Sequence, residues 1–470
     1  MSTLVTQPVH ESSLGSTIQD VANWRLASSL ATKEPDTKLV ASLGCHGRLG
    51  APRDRPAMVD SRPQMSPLSD RPKAYFSIGT CDGEPCNIGH AMQRQEIFRA
   101  RWDLWRSFLS MSTDRSQKSS EEAILVFRIG SLGDTVVALP AFRKIRRWFP
   151  KSRIVLLTNS PVDGGRKAVS STHVLAGMGL VDHWIEYPHG SFSVRRLLDV
   201  IEQIREQKPR ICYFLAAKRN RAQWIRDQVF FRLAGVRKIV GLRADAMRHR
   251  APSGASVLWE SETERILRAI GAEGCELHAD DLSLELTDVE REIARLVLAS
   301  SSINGRFVAM SLGSKFPAKD WGDVRWKQCL EELGSQVPKY SLVAIGSRVE
   351  WDRSSQVLRS WPGTTANLCG ELTPRQSAAI IERAQLFIGH DSGPMHLANA
   401  VGTPLIAVFS AREMPGIWFP FGQTQNVIYR DVACRGCRLE ICVLQKQKCI
   451  TDIAPAEVVE KAAKLLASTR

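Results

Sequence analysis

The chain has 470 residues, 43% of them hydrophobic, enough for two ordinary domains and a further segment, and it falls in the soluble globular class. Its net charge of +14 points to an anionic partner. No long Lys/Arg block and no nucleic-acid module with interleaved aromatics accompanies that charge, which argues against nucleic acid and leaves phosphates and lipid headgroups. The opening MSTLVTQPVHESSLGS lacks the charged start and apolar core of an export signal, and no run approaches ~18 apolar residues, so a cytosolic protein without a membrane span is expected.

Residues 1 to about 120 carry scattered Pro, Gly, Ser and Arg without sustained period, which predicts a largely disordered extension. The exception is Met92 to Met111, where Ile97, Trp102, Trp105, Phe108 and Leu109 share one helical face opposite several arginines. Such an amphipathic helix suits packing on the folded body or an anionic membrane surface.

Order is expected from Glu122. AILVFRIGSLGDTVVALPAFRKIRRWFP reads as a buried strand (Ala123 to Phe127), a glycine-containing turn ending in Asp134, and a helix continuing to about Trp148, where Pro150 stops it. The G-x-G-x-x-G spacing of a dinucleotide site is missing. RIVLLT, the helix SVRRLLDVIEQIREQKP, the strand ICYFL and a helix around Gln223 to Leu233 follow, an alternation that implies a parallel sheet covered on both faces. Two helical stretches lie between about Gly254 and Ser302. A second alternating series then opens with FVAMSLGS at Phe307 and continues through SLVAIGS, TTANLCGEL and PRQSAAIIERA to a terminal helix, PAEVVEKAAKLLAS. The expected organisation is an α/β protein of two Rossmann-like domains, 121–300 and 301–470, facing a cleft, behind a poorly ordered extension, 1–120.

Leu386 to Ser410, LFIGHDSGPMHLANAVGTPLIAVFS, compresses strand, polar turn, short helix and strand into twenty-five residues. Asp391, Ser392 and Gly393 supply a cap and a flexible point before Pro394, and His396 lies in the first helical turn. Free N–H groups and the positive end of the helix dipole make this turn a seat for phosphate; a capped core helix with a half-buried histidine uses the same residues.

Three polar turns at strand carboxyl ends stand out: Ser131 to Thr135, Gly313 to Lys319 and Asp391 to His396. Their order, with RIGSLGDTVVALPAFR, LGSKFPAKDW, GHDSGPMHLANAVGTP and the closing CRGCRLEICVLQKQKC, resembles glycosyltransferase family 9, the ADP-heptose:lipopolysaccharide heptosyltransferases, over roughly Ala123 to the C-terminus. The resemblance implies the GT-B architecture and an inverting transfer of heptose from ADP-heptose to a lipid-linked core oligosaccharide, with no cofactor required. It places Asp134 as the catalytic base, where a cap residue is the plainer role. It places Ser314 and Lys319 at the donor diphosphate, the N–H groups of Ser392 and Gly393 beside them, Asp391 and His396 along the sugar or phosphate side, and Glu350 at the donor ribose or, as plainly, in a helix cap. Lys315 reads as solvated. No fingerprint marks the acceptor site.

Cys434, Cys437, Cys442 and Cys449 have the spacing C-x2-C-x4-C-x6-C. The first pair could chelate zinc or iron, but the rest lacks a typical second ligand pair, so reduced structural thiols and no metal are expected. Other readings of the chain are a GT-B transferase using another donor sugar, or a nucleotide-sugar or polyanion binder without turnover. The basic charge and a lipid-anchored acceptor together predict a cytoplasmic protein in peripheral contact with the anionic inner face of the membrane.

Overall fold

The computed structural model describes residues 123–160, 171–188, 193–217, 219–254, 256–443 and 445–468, all within one compact unit, Thr113–Arg470. The extension and its expected helix at 92–111 lie outside the described residues.

The first half begins with β1 (Ala123–Phe127), α1 (Leu132–Val136), α2 (Leu139–Trp148), β2 (Ile154–Ser160), α3 (Thr172–Leu175) and β3 (His183–Pro188). It continues with α4 (Val194–Glu206), β4 (Pro209–Phe214), α5 (Arg221–Leu233) and β5 (Lys238–Val240). The five strands form a parallel sheet in the order β3-β2-β1-β4-β5, with Ile124 beside Ile154 and Phe127 beside Phe214. Every residue of β1 is buried, as expected for a strand with helices on both faces. Alternate residues divide the labour: Leu125 and Phe127 join the core under α4 and α5, while Ile124 and Val126 join the core that holds Phe142 and Ile145 of α2.

α6 (Glu262–Ala269), α7 (Ala279–Leu282) and α8 (Asp288–Ser300) bridge to the second half, and α8 packs on α11. There β6 (Phe307–Ser311), α9 (Asp323–Gln336), β7 (Ser341–Ala344), α10 (Trp351–Leu358), β8 (Thr365–Asn367) and α11 (Pro374–Glu382) lead to β9 (Leu386–His390), α12 (Gly393–Ala400), β10 (Leu405–Val408) and β11 (Val427–Ile428). Two helices, α13 (Lys448–Thr451) and α14 (Pro455–Ser468), close the chain. The second sheet is also parallel, ordered β11-β10-β9-β6-β7-β8. One apolar core is continuous through both halves, from Phe142 and Leu156 to Phe387 and Ala407, while Trp326, Leu330 and Val458 build a separate core on the far face of the second sheet. Fully burying each such side chain stabilises the fold by about 1.5–3 kcal/mol, so this shared core ties the halves together.

The stretch Leu386 to Ser410 forms the strand, turn, helix and strand expected. Three readings need correction. The helix after β1 is interrupted: α1 closes at Val136 and a separate α2 starts at Leu139, because Pro140 at the second position of α2 has no N–H to continue the first ladder. The strand β3 escaped notice because HWIEYP sits at a sheet edge and lacks a continuous apolar run. Of the three residues expected to supply the cap and the flexible point before Pro394, Ser392 is the N-cap and Gly393 is already the first residue of α12, which puts Pro394 second.

Candidate functional site

A cleft of about 620 Å³ lies at the carboxyl ends of both sheets, lined from the first half by Ser131 to Asp134 and from the second by Ser311, Gly313 to Phe316, Lys319, Glu350, Ser392, His396 and Trp418 among others. All eight expected site residues, Asp134, Ser314, Lys319, Glu350, Asp391, Ser392, Gly393 and His396, line this one cleft.

The turn after β1 presents Asp134. Ser131 is the N-cap of α1 and Asp134 its third residue, so the carboxylate folds back: Asp134 Oδ2 accepts from the Ser131 N–H at 2.6 Å and from the Ser131 hydroxyl at 2.6 Å. Gly130 permits that return, since its φ is +151° and a Cβ there would stand 2.5 Å from Asp134 Cβ. Asp134 is thus not the cap itself but the partner of the cap, with its side chain still 21% exposed to the cleft.

Across the cleft, α12 directs its N-terminus inward. Ser392 Oγ is buried without a hydrogen-bond partner, and so is Ser311 Oγ, which also lines the cleft. Buried hydroxyls are normally paired, so two orphans facing one cavity are what a site built for a polar ligand displays. Lys319 ends a tight 3-10 turn, Pro317–Lys319, and its ammonium is paired with Asp391 at 2.6 Å while donating to the Asp391 carbonyl at 3.2 Å. Asp391 therefore holds the lysine at the helix terminus. Ser314 donates to the Phe316 carbonyl at 3.0 Å, and exposed Lys315 lies over the Phe316 ring. The Glu350 carboxylate accepts from the Ser347 N–H at 2.8 Å and fits between two backbones: a Cβ at Gly313 or at Gly346 would come within 2.5 or 2.2 Å of its oxygens. The cap role and a cleft position coincide in that residue.

His396 stands where the halves meet. Its ring is almost wholly buried against Gly133, where a Cβ would fall 2.7 Å from His396 Cδ2, and its outer face meets Trp418 edge-on at 6.2 Å. Burial pulls its pKa down to about 4, against the opposing pull of Asp391, so the imidazole is neutral at pH 7. His390, the last residue of β9, is a supporting residue: its Nε2 accepts from the Trp321 N–H at 3.0 Å and the Trp326 indole at 3.2 Å, and burial lowers it to about 4 as well.

Sequence reasoning missed several lining residues. Arg412 lies 4.2 Å over the Phe316 ring and donates to the carbonyls of Leu439 and Arg438 at 2.7 and 2.9 Å, joining the cysteine-rich segment to the cleft. Ala318 donates to the Glu440 carbonyl and Gln447 to the Pro317 carbonyl, so the same segment braces the Lys319 turn. Ser131 lay in a turn the sequence had singled out, though without a role of its own, which its S-x-x-D capping pattern supplies; Arg412 and Trp418, on irregular chain after β10, carried no periodic signature.

The four clustered cysteines are free thiols. Burial pushes the Cys449 thiol up, against a hydrogen bond involving the Ala411 main chain, and Cys434, Cys442 and Cys437 are near enough to add to the rise. Among the described residues no three His, Cys, Asp or Glu side chains are arranged to hold a metal ion.

Two parallel α/β halves meeting at a cleft, with a helix N-terminus on each side, define the GT-B class of architecture, and solved structures agree on the fold. A glycosyl transferase of family 9 from Veillonella parvula aligns over 75% of this chain and 100% of its own at a TM-score of 0.57 and 18% identity. The ADP-heptose lipopolysaccharide heptosyltransferase II of E. coli aligns over 74% and 99% at 0.52 and 18%. The model of glycosyltransferase family 9, described as heptosyltransferase, matches residues 240–448 of this chain. Lipooligosaccharide heptosyltransferase 2 of Campylobacter jejuni is 31% identical over 111 residues, 24% of this chain and 35% of that protein, so the match spans about a third of that relative's length. Lipopolysaccharide heptosyltransferase 2 of Salmonella typhimurium is 22% identical over 73% of this chain and 98% of its own.

Proposed function

We propose that the protein is an inverting glycosyltransferase that moves a heptose from ADP-heptose to a lipopolysaccharide core acceptor. The observation that carries this reading is the opposition, across one cleft, of the Asp134 carboxylate to an anion seat made by Lys319 and the N-terminus of α12. Glu350 takes the donor ribose hydroxyls. The N–H groups of Ser392 and Gly393, the Ser392 and Ser314 hydroxyls and the Lys319 ammonium take the diphosphate. The acceptor hydroxyl attacks the anomeric carbon from the side of Asp134, which accepts its proton, while the bond to the diphosphate breaks and ADP leaves with the electron pair. Neutral His396 lines the path between them without adding charge.

The first half would receive the acceptor, and the protein would work in the cytoplasm against the anionic inner face of the membrane. The charge of +14 supports that contact, as do exposed Val194, Leu197 and Leu198 on α4 and Ile225 and Val229 on α5, interspersed with exposed Arg195 and Arg221. Among the described residues no helix is long and apolar enough to cross a membrane. Sedimentation with vesicles should need anionic lipid and weaken with salt; equal binding to neutral vesicles would reject the electrostatic contact.

A second reading, a nucleotide-sugar binder without turnover, draws on the engagement of Asp134 Oδ2 by Ser131. The two separate on one measurement: ADP release from ADP-heptose in the presence of heptose-accepting core lipid. Binding of ADP-heptose without release to any core acceptor would select the binder.

A further inference from the structure

Behind Asp134, on the side away from the cleft, runs a column of charge that the proposed chemistry does not use. Arg128 directly follows β1 and is 0% exposed. One of its terminal nitrogens donates to the main-chain carbonyl of Asp134 and lies 3.6 Å from the same residue's Oδ1. The other donates to the Leu215 carbonyl at the end of β4 and lies 3.6 Å from Glu262 Oε1. Glu262, also buried, accepts a two-pronged pair of bonds from Arg265 at 2.7 and 2.8 Å and faces His249 Nε2 at 3.0 Å. The remaining Arg265 donors go to the carbonyls of Ala246 and Ala216.

Such a column is a costly way to fill space. Buried ion pairs are often matched or bettered in stability by apolar side chains of equal volume. Here the cost is visible: burial pulls the Arg128 pKa down despite Asp134 and Glu262, and Arg128 Nε is buried with no hydrogen-bond partner. Burial pushes the Glu262 carboxyl up, yet the guanidinium of Arg265 and the bonds around it hold the group far below the usual carboxylate range. Two guanidinium groups and one glutamate leave a single positive charge uncompensated. The carboxylate that balances it is Asp134, at the cleft end of the column.

We infer that Arg128, held from behind by Glu262, is a positioning residue for Asp134, fixing both its main chain and its carboxylate at the floor of the cleft. Arg128 reaches no cleft-lining surface itself and acts only through Asp134. Glu262 adds a link to the other half, because its N–H donates to the Ile417 carbonyl at 2.8 Å, next to cleft-lining Trp418, and Trp259 donates to the Pro415 carbonyl at 2.8 Å. The column therefore registers the position of Asp134 against the wall that holds the donor side.

This inference rests on Asp134 as the base, and the test keeps the two apart. Arg128→Met, Arg128→Lys and Glu262→Gln are made in the full chain, each alone and together with Asp134→Asn. ADP release gives kcat and KM for donor and acceptor, and calorimetry with ADP gives donor-site affinity. Arg128→Met alone should lower kcat by about 10²-fold, the scale of a ~1 Å misplacement, with ADP affinity and donor KM within about threefold. Arg128→Lys should recover about tenfold of that loss. In the Asp134→Asn background, Arg128→Met should cost less than about threefold more, because a residue acting through Asp134 has nothing left to position. Losses that multiply in the double variant, or an unchanged kcat in Arg128→Met, would overturn the positioning role while leaving the base in place. Full turnover in Asp134→Asn alone would overturn the base and the positioning role with it. Should Arg128→Met fail to fold, the Lys and Glu262→Gln variants carry the same cycle.

Discussion

The two turns that face each other across the cleft are built alike and finished differently. Each follows a buried parallel strand, each has a serine as N-cap, and each opens a short helix, α1 in one half and α12 in the other. Ser131 is satisfied from within, its hydroxyl and N–H both on Asp134. Ser392 keeps a buried hydroxyl with no partner. A turn that closes on its own carboxylate holds that carboxylate in one place, whereas the Ser392 turn leaves its hydroxyl and N–H groups open toward the cleft. The difference lies in residue three of each helix, Asp134 against Met395.

The comparison can be broken at four points, taken from the largest expected effect. Asp134→Asn should reduce turnover by ~10²–10⁴-fold while ADP-heptose affinity stays within a few-fold, since a base acts in the transition state. Normal turnover would make the two turns equivalent supports.

The next effect concerns acid. His396 and His390 are buried neutral, with pKa values lowered from 6.5 to about 4, so between those values the unfolded chain takes up protons that the folded chain refuses. Stability should be flat above pH 6.5 and fall as pH drops from about 6.5 to about 4, by about 3 kcal/mol for each histidine. Denaturant unfolding at pH 7 and pH 4.5 measures this, and His396→Gln should remove about half of the histidine contribution. A slope that His396→Gln leaves unchanged would count against a neutral ring at the junction.

Lys319→Ala should weaken ADP-heptose binding by ~10–100-fold, the worth of a charge-assisted contact, and unchanged affinity would return the lysine to its pairing with Asp391. The smallest effect separates the serines. Ser131→Ala should cost about 1 kcal/mol of stability through the lost cap, whereas Ser392→Ala should leave the ligand-free melting temperature unchanged and lower donor affinity about fivefold. Equal losses of stability in both would erase the distinction.

Much of this was legible in the sequence where local patterns decide structure. The buried run AILVF, the alternation of strands and helices and the compact HDSGPMH turn each carry their own signature, and the eight expected residues come together because all of them follow strands that end on one side of parallel sheets. What escaped depends on pairing across long sequence distances. Nothing local marks Glu262 as the partner of Arg128, 134 positions away, since its helix start reads as an ordinary S-x-x-E cap. Arg412 and Trp418 were hidden for a related reason: they sit on irregular chain whose course is set by packing rather than period. Edge strands β3 and β5 lacked the apolar runs that betray central ones.

The close approach of the halves has a mechanical consequence. Gly133 meets His396 so tightly that a single added methyl group would stand 2.7 Å from the ring, about 1 Å inside ordinary contact distance, and a methyl at Gly393 would meet Leu132 at 2.8 Å. Hydrogen atoms at these two positions thus act as the gauge blocks of the cleft, setting its width from opposite walls. Gly133→Ala is therefore a wedge between the halves: it removes none of the proposed chemical groups, but it forces the His396 ring or the turn that carries Asp134 to give way.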